Sequence, residues 1–243
     1  MIRELDNQID VYFDHKFGLN DFKSRRVDIT ANVGFGSREK VSSYIHVLNN
    51  QGRIKNFRQQ FKYGNKRSSK AISYDLVGNS NGVEFSAFDL EAAIKYKYPD
   101  AKKETLKRAK GILRLEVRLI SPKSIRNYND QLDTADRIAD IANNSMETFA
   151  KNIIHIIPYG DFYKKVQATK YIEENVKSST MRRKMLKLLT LIPKKKSLYL
   201  AQIEMKDRTV DDVLHEFQEQ NLSPVVISKR QCFDYLENLY VHL

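Results

Sequence analysis

Two stretches of the chain alternate apolar and polar residues with a period of two, the pattern of a strand with one buried face. The first is RRVDITANV, residues 25–33, in which Asp28 lies on the polar side. The second is GILRLEVRL, residues 111–119, in which Glu116 lies on the polar side. We therefore predict two half-buried strands, each with an acid on its solvated face.

The residues around and between these strands mix helical and strand patterns. Ser37 is predicted to cap a helix that runs to about residue 50 and stops at Gly52. Residues 54–63 and 70–77 have the composition of two hairpin strands around the turn-rich sequence GNKRSS. Apolar residues at helical spacing then predict a helix over about 84–97.

From about residue 128 onward the pattern becomes mainly helical, so the fold class is α+β with a helical C-terminal region. Helices are predicted near 129–156, 161–176 and 180–191, with breaks at proline and glycine residues. The last stretch predicts a helix, a turn at residues 221–224 and another helix. Such a pair forms either two packed helices or a helix-turn-helix DNA-binding motif.

The chain is strongly basic, with 42 Lys and Arg against 30 Asp and Glu and a formal net charge of +12. Nucleic acid is the leading partner, because each phosphate that a cation neutralises releases counterions. The alternative is a basic surface that is simply solvated. The cations crowd residues 95–110 and 182–196. The candidate DNA-binding residues are Arg26, Lys95, Lys97, Lys107, Arg108, Arg114, Arg118, Arg182, Arg183 and Lys184.

Other features limit the class of protein. No apolar run reaches the roughly 20 residues of a membrane-spanning helix, and the first twenty residues carry acids where a signal peptide is apolar. We therefore expect a cytoplasmic protein with no membrane partner. Cys232 is the only cysteine, which excludes intrachain disulfides and cysteine-based zinc sites. A phosphate-binding loop is also missing.

Asp28 and Glu116 are the first candidates for chemistry. If their two strands are neighbours, both carboxylates can converge on one cation, and oxygen ligands favour Mg²⁺ or Mn²⁺. The alternative is that each acid pairs with an adjacent arginine, Arg26 or Arg114, on a solvated sheet face. His46, on the helix after the first strand, is a weaker candidate ligand.

Tyr74, in the sequence KAISYDLVGN at residues 70–79, is the second candidate. Strict alternation would place it on one face with Ile72 and Leu76, which favours a packed ring. A tyrosine can instead act as a nucleophile that forms a phosphotyrosine ester with a DNA end, when a metal polarises the phosphate. The sequence leaves both interpretations open.

The order of these motifs resembles the gene II/X family of phage and plasmid rolling-circle replication initiators. The matching pieces are SRRVDITAN at 24–32, YIHVLNN at 44–50, AISYDL at 71–76 and AKGILRLEVRL at 109–119. Their order and approximate spacing agree with the family over about residues 24–128, roughly two fifths of the chain.

The resemblance implies a metal-dependent enzyme that nicks and rejoins one DNA strand at a replication origin. Its core would be similar to the HUH endonuclease fold, an antiparallel sheet flanked by helices. Tyr74 would attack the phosphate and hold the 5′ end, and Asp28, Glu116 and His46 would lie at a Mg²⁺ or Mn²⁺ site. The partners would be origin DNA, single-stranded or in a hairpin, and a host helicase.

The corresponding domains are a nicking domain at residues 1–128, which we expect to lack upstream strands, and a helical, DNA-binding region at residues 129–243. Two other functions stay open. One is a DNA-binding protein that regulates replication without catalysis, and the other is a related conjugative relaxase.

Overall fold

The computed structural model describes residues 2–60, 72–80, 82–126, 132–205 and 210–243. Within these ranges the chain is α+β, with a five-stranded antiparallel sheet and helices packed around it. No helix in the described ranges combines the length and apolarity that crossing a bilayer requires.

The sheet is built from strands that all lie in the first half of the chain. Their bounds are Val27–Gly34 for β1, Phe57–Gln60 for β2, Ser73–Gly78 for β3, Val83–Asp89 for β4 and Ile112–Leu119 for β5. They are arranged in the order β1, β5, β4, β3, β2, and every neighbouring pair is antiparallel. The two stretches with period-two alternation are therefore adjacent strands.

Helices surround the sheet and make up most of the second half. Their bounds are Ile2–Tyr12 (α1), Arg38–Gln51 (α2), Leu90–Lys97 (α3), Lys103–Ala109 (α4), Pro122–Arg126 (α5), Thr134–Asn143 (α6), Ser145–Ile153 (α7), Lys165–Asn175 (α8), Ser179–Lys195 (α9), Leu198–Met205 (α10) and Val210–Glu219 (α11). Short 3-10 helices span Leu19–Asp21 and Leu239–His242, and two-residue strands β6 (Phe162–Tyr163) and β7 (Tyr235–Leu236) pair with each other.

The register gives the sheet one apolar face and one polar face. On β1, Ile29 and Val33 are buried in the main core, whereas Asp28 points to the other side. Tyr74 and Leu115 lie on the apolar face with them, because they occupy the matching register positions. Helices α2 and α7 supply further residues to this core.

The helix predicted after β1 is present with the expected ends. The Ser37 hydroxyl accepts a hydrogen bond from the Lys40 N–H at 3.2 Å, which caps the first turn of α2. Gly52 follows the last residue of α2 and has a φ of 66°, a conformation that glycine adopts readily. The predicted hairpin is also present as β2 and β3, although its turn lies outside the described residues.

The helix predicted over 84–97 is wrong in its first half, which forms β4. Apolar residues alternate with Glu84 and Ser86 in this segment, which is the period of two of a strand. Strand β4 pairs with β3 on one side and with β5 on the other. Helix α3 begins only after Asp89, whose carboxylate caps it by accepting a hydrogen bond from the Ala92 N–H at 3.0 Å.

Two predictions for the second half are also wrong in detail. In place of one helix over 129–156, the described residues 132–156 form two helices, α6 and α7, which meet at Asn144. The final segment holds no second α-helix within residues 210–243, all of which are described. Residues 222–227 enter the core as an extended segment with bridges to Asp161 and Lys164. Neither a helix-turn-helix motif nor a pair of packed helices is therefore formed there.

The main core includes residues from both halves of the chain. Phe149, Phe162 and Leu239 pack in the same cluster as the apolar face of the sheet. A second cluster, which includes Leu188 and Phe217, joins α8, α9, α10 and α11. The domain boundary near residue 128 stays a prediction, and the packing crosses it.

Gly52, in the first half of the chain, packs closely against Lys196 in the second half, and a substitution can test this contact. A Cβ at this position would lie 2.1 Å from the carbonyl oxygen of Lys196. We expect Gly52→Ala to lower the free energy of unfolding by about 2 kcal/mol or more, because both the positive φ and the collision oppose a methyl group. Chemical denaturation measures this loss.

Gly34→Ala is the matched control, because a Cβ there meets no atom within 4 Å. We expect it to cost less than about 1 kcal/mol. Equal losses in the two variants would contradict the close approach of Gly52 to Lys196.

Candidate functional site

Asp28 and Glu116 lie on neighbouring strands and on the same face of the sheet. Strand β1 pairs with β5 so that Thr30 is opposite Glu116 and Asp28 is opposite Arg118. Residues two positions apart on a strand share a face, so both acids and Arg118 point to the polar side. The adjacency that a shared cation would require is therefore present.

The guanidinium of Arg118 lies among three carboxylates. It contacts Glu116 directly, its Nη1 lies 3.5 Å from Glu84 Oε2, and its Nε lies 3.8 Å from Asp28 Oδ2. Nη1 also donates a hydrogen bond to the Ser86 hydroxyl at 3.3 Å. Only 7% of Arg118 and 8% of Glu116 are exposed, so the centre of this ion-pair network is removed from solvent, whereas Asp28 at its edge is exposed.

Asp75 extends the acidic row across the sheet. It is opposite Ser86, which in turn is opposite Glu116. The Asp75 carboxylate is fully buried and accepts a hydrogen bond from the Ser73 hydroxyl at 2.6 Å. Asp28, Asp75, Glu84 and Glu116 thus share the polar face.

The arginines near this face make two kinds of contact. Arg26 donates to both carboxylate oxygens of Asp28, at 2.6 and 2.5 Å, and this hydrogen bonding raises the pKa of Arg26. Arg114 donates instead to the side-chain oxygen of Asn32 at 2.8 Å. Asp28 therefore pairs with the adjacent Arg26, as the alternative interpretation of the sequence predicted. Glu116 pairs with Arg118 and not with Arg114.

A divalent cation does not fit this cluster as it is arranged. Arg118 already lies where a cation shared by Asp28, Glu84 and Glu116 would lie. The described residues contain no group of three or more His, Cys, Asp or Glu side chains suited to hold a metal ion. His46 lies on α2, which covers the apolar face, so the sheet separates it from the acids. Binding of Mg²⁺ or Mn²⁺ stays a prediction.

Tyr74 points away from the acids. It is fully buried on the apolar face, and its hydroxyl donates a hydrogen bond to the carbonyl oxygen of Gly52 at 2.8 Å. Burial raises the pKa of the Tyr74 hydroxyl well above its ordinary value. A nucleophile must reach the phosphate and lose its proton, and this hydroxyl is placed for neither. Of the two interpretations of Tyr74, the geometry favours the packed ring.

The basic segment around α3 and α4 is exposed. Lys95 pairs with Glu91 at 2.9 Å and Arg108 with Glu104 at 3.2 Å, so these two cations are partly neutralised. Lys97 lies 5.3 Å from the ring centre of Tyr98, and Lys107 is exposed. Among the described residues, no carboxylate lies within ion-pair distance of Lys97 or Lys107. This surface can contact a polyanion.

The second basic segment lies on α9. Arg182 donates a hydrogen bond to the backbone oxygen of Glu173 at 3.3 Å, and Lys184 is half-buried. Arg183 and Lys187 are exposed, and neither has a carboxylate partner in the described part of the chain. Arg118, in contrast, is held in the sheet network and is withdrawn from any surface contact with DNA.

In comparisons with protein-family models, with curated proteins and with solved structures, nothing matched this chain. The resemblance to the gene II/X family and the functions that it implies therefore stay predictions.

Sequence reasoning missed Glu84, Ser86 and the bridging role of Arg118. The helix predicted over 84–97 contains Glu84 and Ser86 and would point them in different directions. The alternation in VEFSAF, residues 83–88, was the signal for a strand. Once β4 is placed between β3 and β5, Glu84 falls opposite Arg118.

The Arg118 network gives a direct stability test. We expect Arg118→Met to lower the free energy of unfolding by about 3 kcal/mol, because it leaves the buried Glu116 carboxylate without its counter-charge. Adding Glu116→Gln in the same chain should recover part of this loss. Urea denaturation of the single and double variants measures both effects.

Arg114→Met is the matched control, because Arg114 is on the same face of the same strand but contacts Asn32 rather than an acid. We expect a loss below about 1 kcal/mol. If Arg118→Met were equally mild, the carboxylates would not depend on its guanidinium.

Proposed function

We propose that this protein binds DNA in replication through its exposed basic helices, and that it does not cleave DNA through Tyr74. The observation that carries the proposal is the separation of charge. Exposed Lys107 on α4 and exposed Arg183 and Lys187 on α9 have no acidic partner among the described residues, whereas four acids gather on the polar face of the sheet around Arg118.

The electrostatics support a backbone contact rather than recognition of bases. Lys107 and Arg183 are exposed on two different helices, as phosphate contacts require. Each phosphate that such residues neutralise releases counterions, so affinity should fall steeply with salt. Origin DNA, a host helicase and a replication setting belong to the proposal through the resemblance to the gene II/X family.

Charge reversal on each helical surface tests the binding. We expect Lys97→Glu with Lys107→Glu, and separately Arg183→Glu with Lys187→Glu, to raise the dissociation constant for DNA by about tenfold or more. Each pair should also make the dependence of log K on log salt less steep, because fewer counterions are released. Fluorescence anisotropy with a labelled duplex and a labelled single strand measures both quantities.

The matched control is Lys16→Glu with Lys23→Glu, which makes the same change in net charge on exposed residues of the N-terminal segment. We expect less than about a threefold effect, since these lysines lie outside the two basic segments. If the control weakened binding as much as the test pairs, the affinity would follow total charge and not these surfaces.

Strand nicking, by this protein as an initiator or as a relaxase, is the second candidate function. One observation favours it: Asp28 and Glu116 lie on neighbouring strands and share a face, as the resemblance requires. Two observations oppose it, because Tyr74 is buried on the other face and Arg118 lies among the carboxylates.

A plasmid assay separates the two candidates. With supercoiled origin plasmid and Mg²⁺ or Mn²⁺, we expect the wild-type protein to form no covalent adduct with DNA, because the only proposed nucleophile is sealed in the core. Denaturing gel electrophoresis after nuclease digestion would reveal such an adduct.

An adduct that forms with the wild type and is lost in Tyr74→Phe would overturn the proposal and restore the nicking enzyme. Tyr240→Phe is the control for loss of a buried hydroxyl, since Tyr240 also bonds backbone oxygens, those of Ile153 and Ile157. It should behave like Tyr74→Phe in thermal melting and like the wild type in the adduct assay.

A further inference from the structure

A cavity of about 620 Å³ lies beside the C-terminal end of α2, away from the polar face of the sheet. Its walls come from the ends of α2 and α9, the first residue of α8 and the extended segment 225–230. Cavities of roughly 300–1,000 Å³ are the usual size for small ligands. The sheet acids take no part in it.

The rim of the cavity is cationic. Lys165, Lys196, Lys229 and Arg230 line it, and no Asp or Glu does. Among the described residues, none of these four cations has a carboxylate within ion-pair distance. Like-charged side chains gathered around one cavity repel each other, and a bound anion would relieve that repulsion.

The floor of the cavity is apolar. Its exposed apolar residue is Pro193, and Ile192, Val225 and Ile227, which are almost completely buried, complete the lining. An inorganic anion would leave this floor unused, whereas a planar ring could cover it and lose its contact with water. A ligand that fits both parts carries an anionic group at one end and a ring at the other.

The walls are held in place by contacts that do not depend on a ligand. The side chain of Asn50 donates to the backbone oxygen of Val226 at 3.3 Å, and the Ile227 N–H donates to the backbone oxygen of Tyr163 at 2.9 Å. Lys196 follows α9 in the left-handed conformation, and Ser197 next to it bridges to Gly52. The cavity is therefore preformed, which lowers the entropic cost of binding.

We propose that this cavity binds a nucleoside phosphate, with the base on the apolar floor and the phosphates among the four cations. Lysine and arginine are the usual partners of phosphate groups. The ligand is either a free nucleotide or the phosphorylated terminal nucleotide of a DNA strand, which share this chemistry. The proposal concerns binding alone, and it does not depend on whether the helical surfaces bind DNA.

Isothermal titration calorimetry of the full chain with four probes tests the ligand class. We expect ATP to bind about tenfold or more tightly than adenosine, which lacks the phosphates, and than inorganic tripolyphosphate, which lacks the ring. Competition against ATP by a dinucleotide with and without a 5′-phosphate then separates a free nucleotide from a strand end.

Charge reversal locates the site. Lys165→Glu with Lys229→Glu should weaken ATP binding by about tenfold or more. Lys16→Glu with Lys177→Glu makes the same charge change on exposed residues outside the cavity and should leave the affinity within about threefold. Thermal melting of both double variants checks that they are folded.

Three outcomes would overturn the proposal. They are ATP binding by the wild type weaker than about millimolar, equal affinity for ATP and tripolyphosphate, and equal weakening by the two double variants. The anisotropy measurements with DNA are separate, so loss of one activity does not imply loss of the other.

Discussion

The pairing of β1 with β5 is the constraint on which the rest of the sheet depends. The register of this pairing, in which Thr30 lies opposite Glu116, determines which residues of both strands face the core. A slip of one residue would turn Asp28 into the core and Ile29 to the outside, which the burial of apolar side chains opposes. Because β4 and β3 continue this register, it also decides that Tyr74 packs inside and that Asp75 joins the polar face. The nicking hypothesis requires Tyr74 and Asp28 on one side, and the register separates them.

The polar face shows why acids at a promising spacing do not by themselves make a metal site. Burying a carboxylate is costly unless a positive charge accompanies it. Arg118 supplies that charge to Glu116 and Glu84, and it also approaches Asp28. The network is geometrically similar to a cation site with a guanidinium in the centre. Such buried pairs add little net stability compared with apolar packing, but breaking one of them is costly. Substitutions in this cluster are therefore expected to lower stability whether or not the cluster has a catalytic role.

Much of the sheet could be predicted because its strands at 25–33 and 111–119 alternate apolar with polar or charged residues, although β5 is almost completely buried. Strand β4 lies between two other strands, and its segment also contains apolar residues at helical spacing. Only the neighbours β3 and β5 decide between the two patterns. The segment after α11 is similar: its apolar residues suit a helix, but bridges to Asp161 and Lys164 hold it extended. The direction of Tyr74 was predictable from strict alternation, whereas the role of Arg118 depends on which strands become neighbours.

The distribution of charge constrains where DNA can approach. On the polar face, the four acids Asp28, Asp75, Glu84 and Glu116 are matched by four arginines, Arg26, Arg58, Arg114 and Arg118, so this face has no excess of positive charge although the whole chain is basic. A phosphate backbone is attracted and repelled to a similar extent by such a face, and salt screens both effects beyond about 10 Å. The exposed cations of α4 and α9 lie at other positions on the molecule and can attract a phosphate backbone there. If the protein binds DNA as proposed, the strand would therefore follow these basic helices and not the polar face of the sheet, where it gains no net attraction.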